Sequence, residues 1–230
     1  MTTISERVQA IRCSIRDAAR NAGRDPESVM LLAVSKAHPA GALRAAYDAG
    51  QRVFGESYLQ EALDKMAELV GLPIDWHFIG PIQSNKTRPI AEHFSWAHGV
   101  DRLKIAQRLA DARSDKLPPL NVCLQVNVSG EASKSGCPPQ ELPELAHAVA
   151  ALPRIRLRGL MAIPEPTSDV ALQRRRFRIL FELHEALKRE GLALDTLSMG
   201  MSADLEAAIA EGATLVRVGS AIFGARERNP

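Results

Sequence analysis

Eight short β-rich runs recur along the chain, each followed by helix-like sequence: residues 29–35, 52–55, 75–80, 96–100, 120–128, 157–163, 194–199 and 215–219. Regular alternation of strand and helix points to an α/β fold with a parallel sheet, and eight such units predict a (β/α)₈ barrel. An open, doubly wound sheet is the competing architecture, since a strand count does not prove closure. No low-complexity linker or short fixed-period repeat divides the 230 residues, so one barrel domain over 1–230 is expected.

The helices show as apolar stripes. Leu142, Leu145, Val149 and Leu152 share one helical face, as do Phe177, Leu180, Phe181, His184 and Leu187, which leaves Arg174, Arg175 and Arg176 toward water. Residues 3–22 carry Ile4, Val8, Ile11 and Ile15 on one side, predicting an extra helix within 1–25 that flanks the barrel.

Composition excludes several classes. A net charge of +2 gives little pull toward nucleic acid or anionic membrane, and 4% aromatics leaves few stacking platforms for single strands. Cys13, Cys123 and Cys137 are odd in number and lack CxxC spacing, which argues against a disulfide framework or zinc ribbon. His93 and His98 have no accompanying ligand set, so no metal is expected. Neither a secretion-signal pattern nor a membrane-length apolar stretch is visible, so the expected location is the cytosol.

In a barrel of this kind the site lies at the C-terminal ends of the strands, and strand residues alternate between interior and helix layer. Leu32, Val34 and Lys36 share one face. If that face points inward, Lys36 stands at the barrel mouth with its stem among apolar groups. Lost hydration there favours the neutral, nucleophilic amine that Schiff-base chemistry requires. A lone lysine at a strand end more often simply reaches to solvent, so Lys36 needs support from elsewhere.

Support comes from the last two units. After the seventh run, Gly200 leads to Ser202, a natural N-cap for a helix over 203–210; after the eighth, Gly219-Ser220 opens a short helix. Two helix N-termini in these positions make a phosphate site. Taken singly, Ser202 is more often just a cap and Gly219 just a turn. Arg217 alternates with Val216 and Val218, so it should point into the barrel, where an unpaired guanidinium costs several kcal/mol. Its partner is either a carboxylate or the nitrogen of a bound pyridine ring. His77, Gln125 and Asn127 are further inward polar residues, and residues 81–86 form a rim loop.

These residues fall within stretches that resemble a known family. Ala33-Val-Ser-Lys36, Phe54-Gly-Glu56, Trp76-His-Phe-Ile-Gly-Pro-Ile-Gln-Ser-Asn-Lys86, Ser133-Lys-Ser-Gly136, Arg158-Gly-Leu-Met-Ala-Ile163, Ser198-Met-Gly-Met-Ser202 and Val216-Arg-Val-Gly-Ser-Ala-Ile-Phe-Gly224 look like the pyridoxal phosphate (PLP) homeostasis family (YggS/PROSC) over nearly the whole chain. The resemblance implies the barrel of the alanine racemase N-terminal domain, with Lys36 as the aldimine lysine of pyridoxal 5′-phosphate. It implies a phosphate cradle of Ser202, Gly219 and Ser220, and Arg217 against the pyridine nitrogen. Ser57, His77 and Met199 are further cofactor-contact candidates. The family reads Phe-Gly-Glu-Asn where this chain has Phe54-Gly-Glu-Ser57, so a contact made by that asparagine is altered here.

The function implied is storage, delivery or buffering of the cofactor, with effects on amino-acid and keto-acid balance and apo-enzymes as acceptors. A fold-type III racemase or decarboxylase is the alternative. Two-base racemisation needs an acid/base on each face of the carbanion. Only Tyr47 and Tyr58 are available, neither evidently placed as that base, and with six residues beyond Gly224 no second domain is expected. An aldolase using Lys36 alone would leave the phosphate turns and Arg217 to a phosphorylated substrate. With no second domain demanding a shared site, a monomer is expected.

Overall fold

The computed structural model describes residues 2–130 and 135–225, so Ser133 and Lys134 of the 133–136 motif lie outside the described residues. In chain order the elements are α1 (Ile4–Asn21), β1 (Met30–Val34), α2 (Ala40–Asp48), β2 (Val53–Glu56), α3 (Leu59–Glu68), β3 (Asp75–Phe78), α4 (Thr87–His93), β4 (Trp96–Val100), α5 (Leu103–Ala112), β5 (Leu120–Gln125), α6 (Leu142–Ala150), β6 (Ile155–Met161), α7 (Val170–Arg189), β7 (Thr196–Ser198), α8 (Leu205–Ala210), β8 (Leu215–Val218) and α9 (Ser220–Phe223). The eight strands are parallel and form a closed barrel in sequence order. Closure is made by β8 against β1, with Leu32 opposite Arg217 and Ala33 opposite Val218. The open-sheet alternative is thereby excluded.

Strand periodicity separates two apolar populations. Leu32, Val34, Ile79 and Leu215 form a cluster of their own, with Val53 packed on it. Their neighbours Leu31, Ala33, Val216 and Val218 belong to the large core shared with the helices. Side chains two apart share a face, so Arg217 falls on the same side as Leu215, inside the barrel.

Helix α1 begins with a capping box: Thr3 Oγ1 accepts the Glu6 N–H at 3.2 Å and Glu6 Oε2 accepts the Thr3 N–H at 2.7 Å. Its buried Val8, Ile15, Ala18 and Ala19 face α2, α8 and α9. Burying Val8 and Ile15 contributes about 1.5–3 kcal/mol each, enough to fix the helix across the β8–β1 seam. In α7, Phe177, Leu180, His184 and Leu187 are buried while Arg174 and Arg175 stay exposed; Arg174 Nε pairs with the buried Glu211 carboxylate at 2.7 Å.

Some strand ends differ from expectation. β1 stops at Val34, which places Lys36 in the turn beyond it, and β5 stops at Gln125. β6 starts at Ile155 and ends at Met161, two residues earlier at each end than the 157–163 pattern. All three cysteines are free, Cys13 exposed and the other two buried. No helix among the described residues is long and apolar enough to cross a membrane.

Candidate functional site at the barrel mouth

Beyond the C-terminal ends of β1, β7 and β8 lies a cavity of about 290 Å³ whose wall includes Lys36, Ser57, Ser202, Arg217, Gly219 and Ser220. Six of the eight site residues expected from sequence therefore meet in one place. Val34, Ile79, Ile163 and Met201 supply its apolar lining, and His38, Ala203 and Gly224 complete it. Among the described residues, two cationic side chains and no carboxylate face this space. A volume near the lower end of small-ligand pockets suits a single-ring anionic ligand.

Lys36 is half-buried in the turn that leaves β1. The next residue, Ala37, has φ +61°, a left-handed conformation uncommon for a residue bearing Cβ. Across the cavity, Gly219 is the N-cap of α9 and places Ser220 at its first position. Ile222 and Phe223 both donate to the Gly219 carbonyl at 2.9 Å, which leaves the Ser220 and Ala221 amides without a partner inside the helix. A Cβ on Gly219 would sit 3.1 Å from the Val34 carbonyl oxygen, so glycine allows the close passage of this turn over β1.

Ser202 lines the cavity but does not cap α8. The helix starts at Leu205 and Asp204 is its N-cap. Gly200, at φ +92°, reverses the chain after β7, and the following turn is closed by the Met201 N–H donating to Asp204 Oδ1 at 2.5 Å. Asp204 thus closes the turn rather than bonding to the helix's first amides, and Ser202 stands in that turn on the cavity wall.

Arg217 is 3% exposed. Its Nη1 donates to the Ser198 carbonyl (2.5 Å) and to Ser198 Oγ (2.8 Å), and Nη2 donates to the Ala162 carbonyl (2.8 Å). Backbone oxygens and a hydroxyl thus hold the guanidinium where a carboxylate partner was one of two expectations. Burial pushes its pKa down to about 10, opposed by Asp204, so it remains charged at neutral pH.

Behind Arg217 runs a buried polar chain. Ser198 Oγ lies 2.9 Å from His98 Nδ1, His98 Nε2 lies 3.0 Å from His77 Nδ1, and His77 Nε2 lies 3.2 Å from Asp75 Oδ2. Arginine can only donate and an ionised carboxylate can only accept. Each group between them must accept on one side and donate on the other, which makes both imidazoles Nε2–H tautomers. Burial lowers the pKa of both rings, that of His98 strongly, with His77 and Arg217 adding to the effect on His98. Both are neutral.

Two of the expected residues, His77 and Met199, do not line the cavity. His77 does face inward, but it is fully buried within the barrel, stacked on Trp96 with centroids 5.1 Å apart, and Ile79 two residues later takes the cavity-lining place. Met199 is fully buried in the core shared with the helices. Ser198 points inward, so period two turns Met199 away, and Met201 is the methionine at the cavity.

Ser57 lies on the rim, where the chain passes so close that a Cβ on Gly80 would sit 2.6 Å from the Ser57 carbonyl oxygen. Gln125 lines a smaller hollow of about 200 Å³ that shares Ile79 and Ile163 with the main cavity; its Nε2 donates to the Ser135 carbonyl at 3.1 Å. Asn127 Oδ1 accepts the Gly130 N–H at 3.1 Å within its loop. The rim loop forms a 3₁₀ turn (Ser84–Lys86) leading into α4 and faces a separate hollow with Arg88 and Arg108. Neither tyrosine lines the cavity: Tyr47 lies under the Arg52 guanidinium at 3.8 Å, and Tyr58 is exposed. A larger cavity of about 550 Å³ opens at the strands' N-terminal ends, bounded by Arg12, Arg16 and Arg52 and lacking any lysine among the described residues.

An amine, an anion cradle and a buried cation around a one-ring space fit the expected aldehyde-bearing phosphate ester. Comparison with known proteins agrees. Residues 7–227 match the family described as "Alanine racemase, N-terminal domain". A pyridoxal phosphate homeostasis protein of Pseudomonas aeruginosa is 66% identical over 227 residues, covering 99% of this chain and 97% of that protein. PipY of Synechococcus elongatus, solved with PLP bound, is 40% identical with a TM-score of 0.85, covering 96% of this chain and all of the other. Alanine racemase from Corynebacterium glutamicum shares the fold at 18% identity and a TM-score of 0.69, with the match covering 61% of that enzyme.

Proposed function

Because the chain belongs to the pyridoxal phosphate homeostasis protein family, we propose that it holds pyridoxal 5′-phosphate at the barrel mouth and stores, delivers or buffers it. The observation that carries this reading is the shared wall: Lys36 and the turns bearing Ser202 and Gly219-Ser220 line one cavity with Arg217. When bound, the cofactor supplies an aldehyde with which an amine condenses, releasing water.

The chain's own residues do the rest. Lys36 presents the amine from the β1 turn. The hydroxyls of Ser202 and Ser220, with the first-turn amides of α9, hold the phosphate, each dipole contribution being worth about 0.3–1 kcal/mol when exposed and up to ~2 when partly buried. Arg217, fixed by Ser198 and Ala162 on the cavity wall, would face the ring nitrogen as a donor and keep a proton off it, so that the bound group would be a weak electron sink. Ser57 contacts the cofactor from the rim more weakly than a longer asparagine would.

Weak electron withdrawal and a wall without tyrosine or carboxylate among the described residues favour holding over turnover. We place this activity in the cytosol, in a monomer that hands the cofactor to apo-enzymes. The free cysteines and the near-neutral net charge support that setting. Visible absorbance of protein mixed with the cofactor tests the reading. Wild type is expected to develop a band that Lys36→Ala lacks; equal bands in both proteins would refute the assignment of Lys36.

A further inference from the structure

An amine that must meet an aldehyde is only as well placed as the backbone that carries it. The turn bearing Lys36 has no regular element of its own, yet both neighbours of Lys36 are gripped from one side. Ser35 Oγ donates to Glu56 Oε1 at 2.7 Å, and the Ser35 carbonyl accepts from Lys65 Nζ at 2.8 Å. The Ala37 N–H donates to Glu61 Oε1 at 2.6 Å. Lys65 Nζ joins these contacts, lying 2.8 Å from Glu56 Oε1 and also paired with the Glu61 carboxylate.

The grip is buried. Ser35 and Glu56 are 0% exposed and Lys65 is 4% exposed. An ammonium and a carboxylate in such a place cost desolvation that an apolar pair would avoid. Glu56 bears that cost one-sidedly: Oε1 receives both donors, while the buried Oε2 has no hydrogen-bond partner. None of Glu56, Glu61 and Lys65 lines the cofactor cavity. What the three do share is the turn, including Ala37 held at φ +61°.

We propose that Lys65, bridging Glu56 and Glu61, is a positioning clamp that holds the Ser35–Ala37 turn so that the Lys36 amine faces the cofactor's aldehyde. The inference rests on the reading that Lys36 bonds to the cofactor. The clamp acts through the carbonyl of residue 35 and the amide of residue 37, and none of its three side chains lines the cavity. Reactions between well-placed groups lose on the order of a hundredfold in rate for about 1 Å of misplacement, so a loosened turn should be read in capture rate before affinity.

The test compares Lys65→Met and Glu61→Ala, each in the wild-type and the Lys36→Ala background. One readout is the rate at which pyridoxal 5′-phosphate becomes borohydride-trappable on the Lys36 peptide. The other is non-covalent affinity for the cofactor in the Lys36→Ala background. Capture at Lys36 is expected to slow by roughly tenfold to a hundredfold, while affinity in the Lys36→Ala background stays unchanged and Lys65→Arg recovers part of the rate. Unchanged capture, or an equal loss of affinity with Lys36 absent, would overturn the proposal in favour of a purely structural ion pair. Should Lys65→Met fail to fold, Glu61→Ala decides alone, because its carboxylate is 31% exposed on α3 and does not belong to the core. Failure of the parent reading looks different: wild-type protein would then show no trapped mass on Lys36.

Discussion

The buried chain from Arg217 to Asp75 makes the fold sensitive to acid in a calculable way. His77 and His98 are neutral because burial lowers their pKa values from the ordinary 6.5. Unfolding exposes both rings, so below pH 6.5 the unfolded chain binds more protons than the folded one. Stability therefore rises with pH and is lost as pH falls through 6.5 toward the folded values. Each imidazole contributes up to about 1.4 kcal/mol per pH unit in that window. Glutamine can replace His98 without titrating, since its oxygen accepts from Ser198 Oγ and its amide donates to His77. Between pH 7.5 and 5.5, wild type should lose up to about 1.4 kcal/mol more than His98→Gln, or ~3–6 °C of Tm for a domain of this size. Urea unfolding at the two pH values measures it. The comparison cancels the opposing carboxyl of Glu56, which burial raises, and the lowered His184. Parallel pH profiles for the two proteins would refute the neutral, directional chain.

Three further outcomes follow from single contacts. Gly80→Ala forces a Cβ against the Ser57 carbonyl oxygen, 2.6 Å away; it should cost about 1–3 kcal/mol by denaturant titration and weaken cofactor binding as the rim shifts. Ser57→Asn lengthens the hydrogen-bonding side chain at the cavity, and one added bond of about 0.5–1.5 kcal/mol should lower the cofactor Kd by up to roughly tenfold in an absorbance titration. Thr3→Ala breaks the capping box of α1, with a loss of about 0.5–2 kcal/mol in a melting experiment and no change in cofactor affinity, since α1 lines no part of the mouth cavity.

Where the chain's pattern was short-ranged, it was legible. Alternation in Leu215–Val218 is enough to turn Arg217 inward, and the stripe of Ile4, Val8, Ile11 and Ile15 is enough to define α1. The same alternation, carried to residues 196–199, would have turned Ser198 in and Met199 out. His77 was harder: its face follows from period two, but its depth depends on the tilt and stagger of a closed barrel. Ser202 misses the capping position because the turn closed between Met201 and Asp204 starts the helix at Leu205, with Asp204 at the N-cap making no side-chain cap bond, and that geometry is not written in the local pattern. Lys65 gave no signal at all. On a helix of charged residues it reads as solvated, and only the packing of α3 beside the β1 turn brings it to Ser35 and Glu56.

Everything functional depends on the amine and the anion-holding turns serving one ligand. Borohydride reduction of the pyridoxal 5′-phosphate-loaded protein, with peptide mapping in the presence and absence of excess inorganic phosphate, tests that directly. The label should fall on Lys36 and diminish as phosphate competes for the Ser202 and Ser220 turns. Label spread over surface lysines, or label on Lys36 indifferent to phosphate, would contradict it.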